Sequence, residues 1–262
     1  MNMIGWVGSR WIESLRRLRD AAGLSAELIS YAVQRARWPR TTRTVLARQI
    51  VFTGLDALPS VLAVAVVVGL AVVLQTKVWL ARFGQSALVG PVLVAVVLRE
   101  LGPLLVNFIV IGRSGTAMAT EIAAMRVTGE LEVIESQGLN VLAYLVLPRA
   151  VAAAISVTVL TIFFSLAAFV FGVIGGRLLG AAVGPGDIFL DSVLSAISRA
   201  DVVSLLIKSG LPGWCTAIEC SLAGLSAPPM LTSIPQAVTR GVMRSIGVLF
   251  LISLTVSVLI YI

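Results

Sequence analysis

From residue 57 to residue 76 no side chain carries a charge, and the same holds from 150 to 176 and from 245 to 262. At 1.5 Å of rise per residue, roughly 20 residues of helix cross the ~30 Å hydrocarbon core of a bilayer. Helix is the form such windows take in lipid, because it satisfies its own backbone groups. Two more windows are apolar but interrupted: residues 86 to 112 hold Arg99 and Glu100, and residues 203 to 223 hold Lys208, Pro212 and Glu219. The expected fold is an all-α membrane protein with about five transmembrane helices, near 57–76, 86–112, 146–176, 203–223 and 243–262. With 58% of the 262 residues hydrophobic and 13% charged, the composition leaves little material for a soluble domain.

Base exceeds acid, 20 against 13, yet its placement speaks for membrane topology rather than nucleic acid. Nine basic residues precede residue 50: Arg10, Arg16, Arg17, Arg19, Arg35, Arg37, Arg40, Arg43 and Arg48. By the positive-inside rule this segment stays cytoplasmic. Five spans then put Arg113, Arg126, Arg149, Arg240 and Arg244 inside as well, and leave Lys77, Arg82, Arg177 and Arg199 outside. The expected topology has the N-terminus in the cytoplasm and the C-terminus outside. The opening residues lack a basic n-region, apolar core and small-residue cleavage site, so internal spans are expected to direct insertion.

Residues 1–53 read as a cytoplasmic or interfacial amphipathic segment, and residues 54–262 as one membrane domain. Trp6, Trp11, Ile12, Leu15 and Leu18 alternate with arginines over residues 3 to 19, the mixture that lies in a bilayer interface; a disordered basic tail is the alternative. A second amphipathic segment from Thr41 to Thr53 leads into the first span. Gly172, Gly176, Gly180 and Gly184 recur every four residues, a small-xxx-small ladder suited to close helix packing. Cys215 and Cys220 lie about 140° apart around a helix and are not expected to bridge.

The absence of histidine removes Ser-His-Asp and Cys-His catalysis and the His-containing zinc sets. Neither Lys77 nor Lys208 ends a G-x-x-x-x-G-K-[ST] loop, so the chain carries no Walker A of its own. No metal site and no cofactor are expected on this chain. Any energy must enter through a partner or an ion gradient.

The segment from Gly112 to Leu139 is too polar to span and rich in helix formers. Met118, Ile122 and Met125 form one apolar stripe, while Glu121 and Arg126 lie off it. After Thr128-Gly129, Glu130 and Glu132 occupy the first turn of a second short helix, where acids complement the dipole, and Gly138 can close it. Two readings stand on pattern alone: an amphipathic connector on the membrane, or a helix that docks into another protein.

The continuous stretch LRELGPLLVNFIVIGRSGTAMATEIAAMRVTGELEVIESQGLNVLAYLVLPR, residues 98 to 149, resembles the MlaE/YrbE family of permeases. These are the membrane subunits of ABC transporters that work with MCE proteins. The landmarks are LRELGP, GR-x-G, E-I-x-x-M-[RK]-V-T, a Glu-rich turn, G-[LIV]-[ND] and a closing PR, in order and at matching distances. A weaker likeness continues through the third span, SLLIKSG at 204 to 210, and Thr239, Arg240 and Val242. The first span ends VLQTKVWLARFG, unlike the more Gly-rich pattern of many members, so no pocket contact is carried from it.

The resemblance implies a homodimeric five-span permease with an N-terminal interfacial helix, served by two cytoplasmic ATPase subunits that bind ATP and magnesium. It implies a periplasmic MCE-domain protein as partner, and lipid, usually phospholipid, moved between the inner and outer membranes of a bacterium. Carried residue by residue, Glu121, Met125, Arg126 and Glu130 lie on or beside the coupling helix, in a loop at 113–145. Arg99 and Glu100 match the charged pair near the lipid-binding cavity. The alternative for that pair is structural, each bonding Glu219 or Lys208 of another span. An ion-coupled secondary transporter and a non-transporting scaffold are the competing functions.

Overall fold

The computed structural model describes residues 23, 40–82, 89–178 and 192–261. The interfacial helix expected at 3 to 19, Gly180 and Gly184 lie outside the described residues. Among those described, every regular element is a helix.

Helix α1 (Arg40–Thr53) takes the second amphipathic segment and passes through a 3-10 turn, Leu55–Ala57, into α2 (Leu58–Arg82). Pro59 sits in the first turn of α2, where its missing N–H has no partner to lose. A long rod follows, made of α3 (Val89–Leu93), α4 (Gly102–Val110) and α5 (Thr116–Val127), joined by two π-helical turns at Val94–Leu101 and Ile111–Gly115. In each turn the hydrogen bond reaches back five residues, as from Gly102 N–H to the Val97 carbonyl and from Thr116 N–H to the Ile111 carbonyl.

The rod corrects the sequence expectation. The helix of span two does not stop at residue 112 but runs on through Val127, so the first of the short helices expected between Gly112 and Leu139 is continuous with it. Polarity after Gly112 ends the apolar surface, but nothing there breaks the backbone. The break comes at Gly129, whose φ of 78° only glycine adopts cheaply. Helix α6 (Glu130–Ser136) follows, closed by Gly138 at φ 74°. A third π turn, Leu142–Val146, opens into α7 (Leu147–Leu178). The bundle is completed by α8 (Arg199–Leu225) and α9 (Ile234–Tyr261).

Among the described residues, four stretches are long and apolar enough to cross a membrane: Arg43–Thr76, Gly90–Val127, Leu142–Gly176 and Leu231–Tyr261. Helix α8, with 27 residues, is as long as a span but more polar. Its position explains the difference. It packs against α9, α7, α5 and α4 together, so Ser204, Lys208, Ser209, Thr216 and Ser221 are buried in protein rather than in lipid. The outer helices show the converse, with Ile155, Phe163 and Leu166 of α7 and Phe250, Leu254 and Leu259 of α9 exposed.

Gly172, the first glycine of the ladder, meets α2 of the same chain. A Cβ on Gly172 would stand 2.9 Å from the Gly69 carbonyl oxygen and 2.9 Å from Val73 Cγ2, so α2 and α7 cross backbone against backbone. Gly176, one turn on, is buried as well. In lipid, where apolar surface gains nothing by leaving the solvent, such close approach is a main source of helix association.

Candidate functional site

Two prolines set up the site. Pro103 has no N–H to offer the Arg99 carbonyl one turn earlier, and Pro212 leaves the Lys208 carbonyl in the same condition. Each orphan is taken by a side chain of the other helix. Lys208 Nζ donates to the Arg99 carbonyl at 2.9 Å. Asn107 Nδ2 donates to the Lys208 carbonyl at 3.2 Å, and to the Pro103 carbonyl at 2.8 Å. The rod and α8 are therefore joined by a reciprocal exchange at two helix defects.

The charges build outward from this seam. Lys208 Nζ also pairs with Glu100 Oε1 at 2.7 Å, and Ser257 Oγ donates to the same oxygen at 2.9 Å. Arg99, pointing a different way from its neighbour, pairs through Nε with Asp201 Oδ1 at 2.8 Å and donates through Nη2 to Oδ2 at 3.1 Å. Asp201 is itself fixed by the start of α8. Its carboxylate accepts from the Ser198 N–H at 2.9 Å while the Ser198 hydroxyl accepts from the Asp201 N–H, a complete capping box. Tyr261 closes the group, donating to Asp201 Oδ1 at 2.9 Å with its ring 4.9 Å beneath the Arg99 guanidinium.

Two cations and two anions thus cancel, as charges within a membrane must. Their burial is unequal. The side chains of Asp201 and Lys208 are 0% and 1% exposed, those of Arg99 and Glu100 31% and 42%. One member of each pair is an interior anchor and the other faces outward.

The structure separates the remaining candidates. Glu121 lies on α5 and pairs with the buried Arg149 at 2.8 Å. Met125 turns inward toward Leu131, Val141 and Leu145, and Arg126 is half-buried at the end of the same helix. Glu130 opens α6 in full exposure, accepting from Thr128 Oγ1 at 3.1 Å. Beside it Glu132, Val133 and Glu135 are exposed too, while Leu131 is buried and holds the helix to the bundle. The stripe Met118, Ile122, Met125 packs against this chain's own core. Arg113, from GR-x-G, reaches Asp56 at 3.6 Å and ties the rod to the α1–α2 junction.

Of the structural pairings considered for the charged pair, Lys208 with Glu100 is present. Arg99 pairs with Asp201 and not with Glu219. Asp201, Ser257, Tyr261 and Asn107 were not singled out in the sequence. Asp201 is the third residue of the capping box that starts α8, a role that gives no hint of its contact with Arg99.

Comparison with known proteins follows the same line. The family described as Permease MlaE matches residues 46–259. A probable ABC transporter permease protein of Rickettsia felis is 29% identical over 255 residues, covering 97% of this chain and 95% of that one. The intermembrane phospholipid transport system permease protein MlaE of Haemophilus influenzae is 28% identical over 249 residues, 94% and 92% of the two chains. Protein TRIGALACTOSYLDIACYLGLYCEROL 1 of Arabidopsis thaliana chloroplasts is 28% identical over 212 residues, 80% of this chain and 59% of its own.

Proposed function

The chain belongs to the MlaE permease family, and from that premise we propose that it is the membrane subunit of an ABC transporter that moves lipid, energised by a separate ATPase. The cargo is phospholipid, as the name of the Haemophilus relative has it for that protein. The working unit is a homodimer in a bacterial inner membrane, with the N-terminus and α6 on the cytoplasmic side. An MCE-domain protein on the other side receives or delivers the lipid. ATP and magnesium belong to the ATPase, since this sequence has no phosphate-binding loop.

The observation that carries this reading is one continuous rod with a different chemistry at each end. Arg99 and Glu100 stand near its beginning, paired but still partly exposed. Twenty-seven residues after Glu100, roughly 40 Å at the α-helical rise, the rod ends beside the exposed acidic helix α6. We assign the first end to substrate: the outward Arg99 and Glu100 meet the lipid headgroup, and Asp201 and Lys208 hold them in place. The second end is assigned to the ATPase, with Glu130 as the exposed contact, Arg126 beside it, and Glu121 and Met125 positioning the helix behind.

Vesicles carrying the permease with its ATPase test the assignment. Glu100→Gln or Arg99→Gln is expected to cut ATP-dependent lipid transfer by about tenfold, the scale of one charge-assisted hydrogen bond, with ATPase co-purification unchanged. Mutant complexes that fall apart would make the pair structural only.

A further inference from the structure

Exposed apolar side chains on α7 and α9 lie against lipid and need no other cover. The turn between α8 and α9 is different. Pro228, Pro229, Met230 and Leu231 are consecutive apolar residues and all are exposed, Met230 at 57% and Leu231 at 75%. Such a run in water is a fault unless something binds it.

Depth puts this turn in water. The 31 residues Leu231–Tyr261 exceed the roughly 20 that a hydrocarbon core requires. From the exposed Arg240 to Tyr261, which closes the charged cluster at the far end, is roughly 32 Å of helix, one core thickness. Arg240 therefore marks the cytoplasmic boundary of the core. Leu231 lies nine residues further out, about 14 Å along the axis. The headgroup layer is about 5–8 Å deep on each side, so the turn stands beyond it.

The turn is also rigid. The Met230 N–H donates to the Pro228 carbonyl at 2.7 Å, and the Ser233 N–H to the Met230 carbonyl at 3.0 Å. The buried Ser233 hydroxyl lies 2.6 and 2.7 Å from the same two carbonyls. Two prolines fix φ in addition. Little conformational freedom is left to lose on docking, which favours affinity. Ala227, just before the prolines, packs with Ala123 of α5 and Ala237 of α9, and Leu225, the last residue of α8, packs against the cluster that holds Leu131 of α6. A shared core thus fixes the apolar knob and the acidic helix at one end of the bundle.

Charge selects the occupant. A membrane surface is out of reach, and its anionic lipids would repel Glu130, Glu132 and Glu135. A second copy of this face would set the same three acids against themselves. A protein with an apolar socket and a basic rim fits both features.

We infer that Met230 and Leu231 form a second, apolar contact with the ATPase subunit, seated in a hydrophobic socket of that subunit. The contact presupposes that α6 faces the ATPase. Helix α9 runs unbroken from the knob to Ser257 and Tyr261, which hold Glu100 and Asp201. The ATPase therefore has two helices, the rod and α9, that lead to the charged cluster.

Photo-cross-linking in membranes carrying the permease with its ATPase tests the contact, with benzoylphenylalanine placed in turn at Leu231, at Val133 on α6, and at Leu254 in the lipid-exposed part of α9. Leu231 and Val133 are expected to give a light-dependent adduct with the ATPase, and Leu254 none. An adduct from Val133 but not from Leu231 overturns the apolar contact and leaves the assignment of α6 standing; adducts from neither remove both. Cross-linking of Leu231 to lipid or to a second permease in place of the ATPase also refutes it. In pull-downs the double variant Met230→Ser, Leu231→Ser should retain the ATPase about tenfold less well, the scale of a lost apolar anchor. Its melting temperature should be unchanged, because neither side chain is buried. Full retention of the ATPase by this variant counts equally against the proposal.

Discussion

Lys208 holds Arg99 by its backbone and Glu100 by its side chain, the same ammonium lying 2.9 Å from one carbonyl oxygen and 2.7 Å from one carboxylate oxygen. A methionine in its place would keep the length and lose both bonds. Lys208→Met should leave the Arg99 carbonyl without a donor and Glu100 without its cation. Because Glu100 is partly exposed, the cost falls below that of a fully buried pair, at about 2–3 kcal/mol. Thermal unfolding in detergent would read it, and a loss under about 0.5 kcal/mol would show that the seam is held elsewhere.

The proline exchange makes a sharper claim, testable by a double-mutant cycle. Asn107→Leu alone removes the donor for the Lys208 carbonyl and should cost about 1 kcal/mol. Pro212→Ala restores an N–H that α8 can use for that same carbonyl. In the Pro212→Ala background, Asn107→Leu should therefore cost less, with a coupling energy of about 0.5–1 kcal/mol. Additive effects would mean that Asn107 acts through the Pro103 carbonyl alone.

The crossing of α2 and α7 predicts a contrast between glycines. Gly172→Ala forces a methyl against the Gly69 carbonyl and should destabilise by about 1–3 kcal/mol. Gly247 on α9 has nothing within 4 Å of a Cβ, so Gly247→Ala should be neutral or mildly stabilising. Equal melting temperatures for the two variants would contradict the close approach.

Exposed acids on α6 give the coupling assignment its test. Replacing Glu130, Glu132 and Glu135 together by lysine alters no buried contact, since all three side chains are exposed. The permease should still fold, losing about 1 kcal/mol as the acids leave the first turn of α6, yet retain its ATPase about tenfold less well in pull-downs, by the loss of rim charge complementarity. Full retention would move the docking surface off this helix.

Much of this architecture was legible in the chain. The charge-free windows mark α2, α7 and α9, and the block from Leu98 to Arg149 carries the family. Polarity misled at Gly112, because it reports what surrounds a helix and not whether the backbone stops; the stop signal was Gly129. It also made α8 look compromised, where Lys208 and Pro212 instead mark the helix that the others enclose. The partners of Arg99 and Glu100 were out of reach for a simpler reason. Asp201 and Tyr261 are 102 and 162 positions from Arg99, and a cap at one helix start and a tyrosine at another helix end give no hint that they meet.

The widened turn at Val94–Leu101 has a consequence for length. A π turn holds one residue more than an α turn of similar height, so the rod contains a surplus residue just where Arg99 and Glu100 stand. Deleting one residue there would close the widened turn into an ordinary α turn, so the helix on either side would keep its phase while the side chains within the turn, Arg99 and Glu100 among them, would be re-aimed. Lys208 would then face neither Glu100 nor the Arg99 carbonyl. The chain spends an extra amino acid on aim rather than on reach.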